Sequence, residues 1–141
     1  MTILRISSVL AIGLALSACS GGSDHASTSG DGSHASSSAG LPKGDISRGE
    51  QLANDATASA SGQSCISCHG QDGNAPIDPS YPKLGGQYHD YLAHALQNYR
   101  AGKREHALMT PQAAHLSDRQ IADLSVYFAS RPSQLDDLST Y

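Results

Sequence analysis

The run Cys65-Ile66-Ser67-Cys68-His69 constrains the fold of this chain more than any other feature of its sequence. Two cysteines separated by two residues and followed directly by a histidine form the attachment signature of c-type haem. The two thiols add to the haem vinyl groups as thioethers, and the spacing keeps both sulfurs within one helical turn, at one edge of the porphyrin. The adjacent imidazole turns toward the iron from the same side. The sequence therefore predicts a fold around one covalently bound haem c, with His69 as the proximal iron ligand.

Two other kinds of site also use closely spaced cysteines. A thioredoxin-like redox pair is expected beside a βαβ pattern, and a structural zinc site needs two further ligands at close spacing. Neither an alternating strand pattern nor a second cysteine pair accompanies Cys65 and Cys68. Haem attachment is therefore the interpretation that the surrounding sequence favours.

The first 18 residues predict an export signal. Arg5 precedes an apolar run that is shorter than the roughly 20 residues needed to span a bilayer. Residues 16–19, Leu-Ser-Ala-Cys, resemble the bacterial lipobox, in which cleavage precedes the cysteine and the thiol is lipidated. The alternative is an ordinary signal peptide with Cys19 as an unmodified bystander. We predict a lipidated Cys19 and a cell-envelope location, and Ser20 after it favours the outer membrane over the inner one.

Residues 19–40 predict a lipidated N-terminus followed by a flexible linker. From residue 20 to residue 40 the chain has eight Ser and five Gly, a composition that buries too little apolar surface to fold. A linker of this kind has an r.m.s. reach of about 25 Å. His25 and His34 within it are interpreted as solvated spacer residues rather than metal ligands. The linker would let a folded domain, residues 41–141, move above a membrane surface.

Three helical stretches predict that residues 41–141 form an all-α domain with long loops. Asp45 or Ser47 can cap a first helix, and residues 88–101 carry apolar side chains at helical spacing. A third helix begins after Ser117, which forms a capping box with Gln120. The connecting segments are rich in Gly and Pro, and long loops of this kind need a group around which to fold.

Met109 is the predicted distal ligand of the iron. Met1 leaves with the signal peptide, so Met109 is the only methionine of the mature chain. It lies in a predicted loop that Pro111 closes, just before the third helix. A thioether stabilises ferrous iron and raises the reduction potential relative to a second histidine. The alternative ligands are His89, His94, His106 and His115. Of these, His106 is nearest to Met109 in sequence.

The composition indicates that the domain depends on the haem for its core. The chain of 141 residues has no Trp and one Phe, and about 100 foldable residues make only a small core unaided. A buried porphyrin supplies the missing apolar volume, so we predict a largely unfolded apoprotein. The net charge is −4, and the nine basic residues are scattered. This distribution argues against a nucleic-acid partner, because such proteins cluster Lys and Arg on one face.

Four motifs resemble those of small bacterial class I cytochromes c. They are CISCHG over residues 65–70, YPKLGGQ over residues 81–87, Met109, and LSDRQIADL over residues 116–124. The similarity extends over residues 44–132, and the motifs occur in the family's order. It implies the class I fold, with three main helices around one haem and with the first and last helices crossing. The single attachment run differs from two-haem relatives and implies a one-haem protein.

The resemblance also implies roles for individual residues. Met109 matches the distal ligand, and the carbonyl of Pro82 would accept a hydrogen bond from the imidazole of His69. Gly49 and Tyr127 match the positions at which the terminal helices touch. The resemblance also places Leu84, Tyr99, Arg100 and Arg104 around the haem. Leu84 would pack against it, and the other three are candidates for contacts with the propionates.

Together these features predict an electron-transfer protein rather than an enzyme. A haem with two stable protein ligands changes between Fe(III) and Fe(II) with little rearrangement and offers no open position to a substrate. The alternative is a haem enzyme, or a gas or redox sensor, in which the distal ligand is displaced. The predicted partners are membrane or periplasmic redox proteins, such as an oxidase, a quinol-oxidising complex, a dehydrogenase or a peroxidase.

Overall fold

A computed structural model describes residues 38–136, and within this range the secondary structure is helical without strands. The elements are α1 (Ile46–Asn54), a 3₁₀ turn (Ala56–Ala58), α2 (Cys65–His69), α3 (His89–Arg100), α4 (Met109–Ala113) and α5 (Asp118–Ala129). The predicted all-α fold class is confirmed. No helix among these residues is long and apolar enough to cross a bilayer. The predicted signal peptide, Cys19 and most of the predicted linker lie outside the described residues.

The two terminal helices begin where the sequence places their caps. The carboxylate of Asp45 accepts the backbone N–H of Arg48 and starts α1. At α5 both halves of the capping box form, because the Ser117 hydroxyl accepts the N–H of Gln120 and the Gln120 side chain accepts the N–H of Ser117. Each cap satisfies backbone donors that a first helical turn leaves unpaired.

The crossing of α1 and α5 requires glycine at the contact. A Cβ atom at Gly49 would overlap the carbonyl oxygen of Asp123 and would lie 2.6 Å from the Cβ of Tyr127. Tyr127 is almost fully buried, and its hydroxyl donates to the carbonyl of Gln71 at 3.1 Å. The structure thus places Gly49 and Tyr127 at the helix contact, and it ties that contact to the segment that follows α2.

An ion pair spans the same crossing. The guanidinium of Arg48 donates from Nε and Nη2 to the two carboxylate oxygens of Asp123, at 2.8 and 2.9 Å. The Asp123 side chain is 4% exposed, and it also accepts the N–H of Asp45 at 2.7 Å. The hydrogen bond to Asp123 raises the pKa of Arg48 above its ordinary value. A buried carboxylate with three donors fixes the position of α5 against α1.

The end of the predicted linker lies against the outer face of α3. The N–H of Ser38 donates to Asp90 at 3.3 Å, and its hydroxyl lies 3.2 Å from Nε2 of His94. The side chain of Gln97 donates to the carbonyl of Ala39 at 3.0 Å. Residues 90, 94 and 97 share one helical face. Ser38 and Ala39, which precede the predicted domain boundary at Leu41, therefore contact the domain.

Two short helices that hydrophobic periodicity does not reveal complete the domain. The attachment run itself forms α2, which the cysteine spacing suggested. Met109 was predicted to lie in a loop, and that prediction is wrong, because Met109 is the first residue of α4. Pro111 is the third residue of α4, where its missing N–H breaks no helical hydrogen bond.

Candidate haem site

An apolar cavity of about 400 Å³ opens among α2, α3, α4, α5 and the loop at residues 80–87. Its walls bring together chain segments that are far apart in sequence, including residues 65, 84, 99, 109 and 128. The α3 side chains that line it lie on the face opposite to Asp90, His94 and Gln97. A cavity of this size and lining is typical of a site for a large apolar ligand.

Helix α2 presents the two thiols to the cavity. The Ser64 hydroxyl caps the helix by accepting the N–H of Ser67, and Gly70, with φ of 84°, ends it. Cys65 and Cys68 both line the cavity, and neither forms a disulfide. Burial raises the pKa of the Cys65 thiol to about 11. A redox-active cysteine pair instead depends on a lowered thiol pKa, and the pKa of Cys65 is shifted in the opposite direction.

His69 is buried at the end of α2, and one ring nitrogen is already engaged. Its Nδ1 donates to the carbonyl oxygen of Pro82 at 2.9 Å, since a carbonyl can only accept. Burial lowers the pKa of His69, while the hydrogen bond to Pro82 acts in the opposite direction. The neutral ring therefore carries its proton on Nδ1 and leaves the Nε2 lone pair for a metal. The structure places Pro82 where the resemblance implies.

Met109 lies in the wall of the same cavity as His69 and is partly buried. Among the four alternative histidines, His106 also lines the cavity, whereas the other three do not. His89 pairs with Asp90 at 3.2 Å, and His94 contacts Ser38 on the outer face of α3. Geometry thus leaves Met109 and His106 as the distal candidates within the described residues.

Three of the four residues that the resemblance places around the haem line the cavity. They are Leu84, Tyr99 and Arg104, and the guanidinium of Arg104 stacks over the Tyr99 ring at 4.8 Å from its centroid. Arg100 is different, because its guanidinium donates to the Leu116 carbonyl and to Asp118, each at 2.7 Å. Arg100 thus fastens α3 to the start of α5, and it is absent from the cavity wall.

Sequence analysis missed several side chains of the cavity. Tyr91, Leu108 and Gln112 line it, as do Ser125 and Phe128 of α5. Hydrophobic spacing along α3 and α5 marks one face of each helix as apolar. It does not distinguish a face that packs on protein from a face that packs on a ligand.

These residues fit a c-type haem. The cavity has apolar walls for the porphyrin and two free thiols on one helical turn for its attachment. It also contains two possible iron ligands, the free Nε2 of His69 and the thioether of Met109. A zinc site does not fit, since no three His, Cys, Asp or Glu side chains of residues 38–136 converge on a point where a metal ion could bind.

The Cytochrome c family profile matches residues 46–141. The chain belongs to the cytochrome c family. This cytochrome is 46% identical over 70 residues to cytochrome c-554(548) of Halomonas halodenitrificans, covering 48% of the chain and 83% of that relative. It is 43% identical over 84 residues to cytochrome c4 of Pseudomonas aeruginosa, covering 57% of the chain and 41% of the relative. Electron transfer is thereby the class of function of this domain.

A solved structure shows the same fold. A thiosulfate dehydrogenase from Marichromatium purpuratum matches this cytochrome with a TM-score of 0.55 and 30% identity, over 65% of the chain and 21% of the solved chain. The chain therefore spans most of cytochrome c-554(548) but less than half of cytochrome c4 and a fifth of the dehydrogenase chain. The family profile matches residues 46–141 of this chain, which include all the described helices.

Proposed function

We propose that this cytochrome is a one-electron carrier with a single haem c, attached through Cys65 and Cys68 and ligated by His69 and Met109. The observation that carries the proposal is the hydrogen bond from Nδ1 of His69 to Pro82, which commits one nitrogen and leaves the other for iron. Met109 in the wall of the same cavity supplies the second donor. The sequence holds one Cys-x-x-Cys-His run, which supports one haem for this chain.

The chain's own residues favour electron exchange by holding both ligands still. When bound, the haem supplies an iron that accepts and releases one electron. The Pro82 carbonyl fixes the orientation of the His69 ring and increases its basicity as a ligand. The apolar walls, which include Leu84 and Phe128, exclude water from the site. A site that is dry and fixed before reaction rearranges little when its charge changes.

An enzyme or sensor of this fold would need a distal position that opens easily. In the part of the cavity wall formed by residues 104–112, Met109 and His106 have side-chain atoms that could bind the iron. A stable bond from Met109 would close that position, and this favours the carrier over the haem enzyme or gas sensor.

We also propose that Cys19 is lipidated and that the haem domain works on the periplasmic side of a membrane, with the outer membrane favoured. The lipobox-like run and the Ser- and Gly-rich segment after it support this location. Ser38, the described residue nearest to Cys19 in sequence, contacts the face of α3 that points away from the cavity.

The proposed partners are membrane or periplasmic redox proteins. The fold similarity to part of a thiosulfate dehydrogenase supports a dehydrogenase as the electron donor. A quinol-oxidising complex would also donate electrons to the carrier, whereas an oxidase or a peroxidase would accept them. A tether raises the effective concentration of the haem domain near membrane-bound partners, so weak docking is sufficient.

Two substitutions at the distal position test the proposal. We expect Met109→Ala to open the iron, to lower the reduction potential and to let carbon monoxide and cyanide bind readily, because the thioether no longer occupies the site. Met109→His is the matched control, since it restores a sixth ligand and should exclude these ligands again while keeping a low potential. Redox titration and absorbance spectra of the purified holoprotein give both readings. Wild-type spectra and potential in Met109→Ala would show that another residue is the ligand.

A further inference from the structure

The segment that carries Met109 is held by an exposed histidine three residues earlier. The N-cap residue of α4 is Leu108, whose apolar side chain makes no capping hydrogen bond. The first backbone N–H groups of α4 would otherwise point at solvent. Nδ1 of His106 accepts two of them, from Leu108 at 3.3 Å and from Met109 at 3.4 Å. Since amides only donate, Nδ1 carries no proton in this arrangement.

A second pair of hydrogen bonds closes the same turn. The N–H of His106 donates to the hydroxyl of Thr110 at 3.0 Å, and the N–H of Thr110 donates to the carbonyl of His106 at 2.9 Å. His106 and Thr110 thus clasp the chain on both sides of Met109. We call these four hydrogen bonds the distal clasp.

We propose that His106 is a positioning residue, whose imidazole holds the backbone of Met109 so that its thioether stays directed at the haem iron. This inference rests on the proposed function, in which Met109 is the distal ligand. It gives His106 a role other than the competing ligand that its place in the cavity wall suggests.

The clasp acts by ordering the segment before the iron–sulfur bond forms. A methionine on a loose segment must lose backbone freedom each time it binds the iron, whereas a clasped one has lost it already. Without the imidazole, exogenous ligands should therefore compete more successfully for the distal position. One net hydrogen bond of about 1 kcal/mol corresponds to about a fivefold change in the apparent affinity for a competing ligand.

The test compares three substitutions at His106 in the purified ferric holoprotein, with imidazole as the competing ligand. His106→Ala removes the acceptor and should raise the apparent affinity for imidazole about fivefold. His106→Asn keeps an acceptor on Cγ, as Nδ1 is on Cγ of histidine, and should return the affinity to the wild-type value. His106→Gln moves the acceptor one carbon further out and should behave as the alanine variant does. His115→Ala is the matched control, because His115 is exposed and lies outside the cavity wall.

Amide hydrogen exchange provides a readout that does not depend on ligand binding. The amides of Leu108 and Met109 should exchange faster in His106→Ala and recover in His106→Asn. Thr110→Val removes the other side-chain bond of the distal clasp and should shift the imidazole affinity in the same direction. It keeps the test informative if His106→Ala folds poorly.

The results separate failure of this inference from failure of the proposed ligand. If Met109→Ala binds imidazole much more tightly than wild type but His106→Ala does not, Met109 is the ligand and the positioning role is wrong. If His106→Asn is as impaired as His106→Ala, an acceptor at Nδ1 is not the cause, and the inference is also overturned. If Met109→Ala matches wild type, Met109 is not the ligand, and both proposals fail.

Discussion

Replacing Gly49 by alanine measures how tightly the crossing of α1 and α5 controls the domain. The added Cβ would lie 2.6 Å from the Cβ of Tyr127 and would overlap the carbonyl oxygen of Asp123. Ordinary carbon contacts begin near 3.5 Å, so the helices would have to separate by about 1 Å. The atoms in the way are the backbone carbonyl of Asp123 and the Cβ of the buried Tyr127, and neither can move aside by a change of side-chain rotamer. Overpacking of this kind destabilises by about 3 kcal/mol.

Alanine also has a favourable effect, which reduces the net change. It is a better helix former than glycine by about 1 kcal/mol, so we expect Gly49→Ala to lower the free energy of unfolding by about 2 kcal/mol. For a domain of about 100 residues this corresponds to a fall in Tm of about 10 °C. Guanidinium unfolding of the holoprotein, followed by circular dichroism, measures the change.

The matched control is Gln51→Ala, an exposed position on the same helix. It should change the stability by less than about 0.5 kcal/mol. The reasoning is refuted if Gly49→Ala is as stable as wild type, since the crossing would then accommodate a methyl group. A crystal structure of the variant with α1 and α5 at their original separation would refute it as well.

Three further predictions concern attachment, anchoring and pH. Protein matured in a haem-exporting bacterium should show one haem per chain by intact mass, and Cys65→Ala or Cys68→Ala should sharply reduce the yield of holoprotein, whereas extractable haem would contradict thioether attachment. Cys19→Ala should release haem-loaded protein into the soluble periplasmic fraction, and a wild type that is soluble without detergent would exclude the anchor. Asp45→Ala should destabilise the domain at pH 7. Hydrogen bonds from Ser47 and Arg48 lower the pKa of Asp45, so this stabilisation is present above the unfolded pKa of about 3.9 and is lost as the pH falls through the folded value. Urea unfolding of Asp45→Ala and wild type should therefore converge at low pH.

Local interactions determined what could be read from the sequence alone. The attachment run needs only one helical turn, so the spacing of Cys65 and Cys68 reveals their shared chemistry without a tertiary structure. The caps at Asp45 and Ser117 are also local, because each side chain bonds to a backbone amide three residues away. The first and last helices accordingly begin where the sequence predicts.

The distal segment shows where local patterns are insufficient. Proline and the lack of hydrophobic periodicity around Met109 suggest a loop, and yet the structure forms α4. The helix begins there because His106 supplies an acceptor for its first amides. A histidine three residues before the first residue of a helix is not a recognisable capping pattern, so the sequence does not predict this helix.

Only the tertiary structure determined which partners the long side chains bind. Arg100 is a reasonable propionate contact by position, but the nearest acceptors in the folded domain are Leu116 and Asp118, and its guanidinium lies there. For His69 the partner that the resemblance implies is the one found, because the loop at residues 80–87 brings the Pro82 carbonyl next to the buried ring. Helix starts depend on neighbours in sequence, whereas the partner of a charged or ring nitrogen depends on which distant segments the packed core brings within hydrogen-bonding distance.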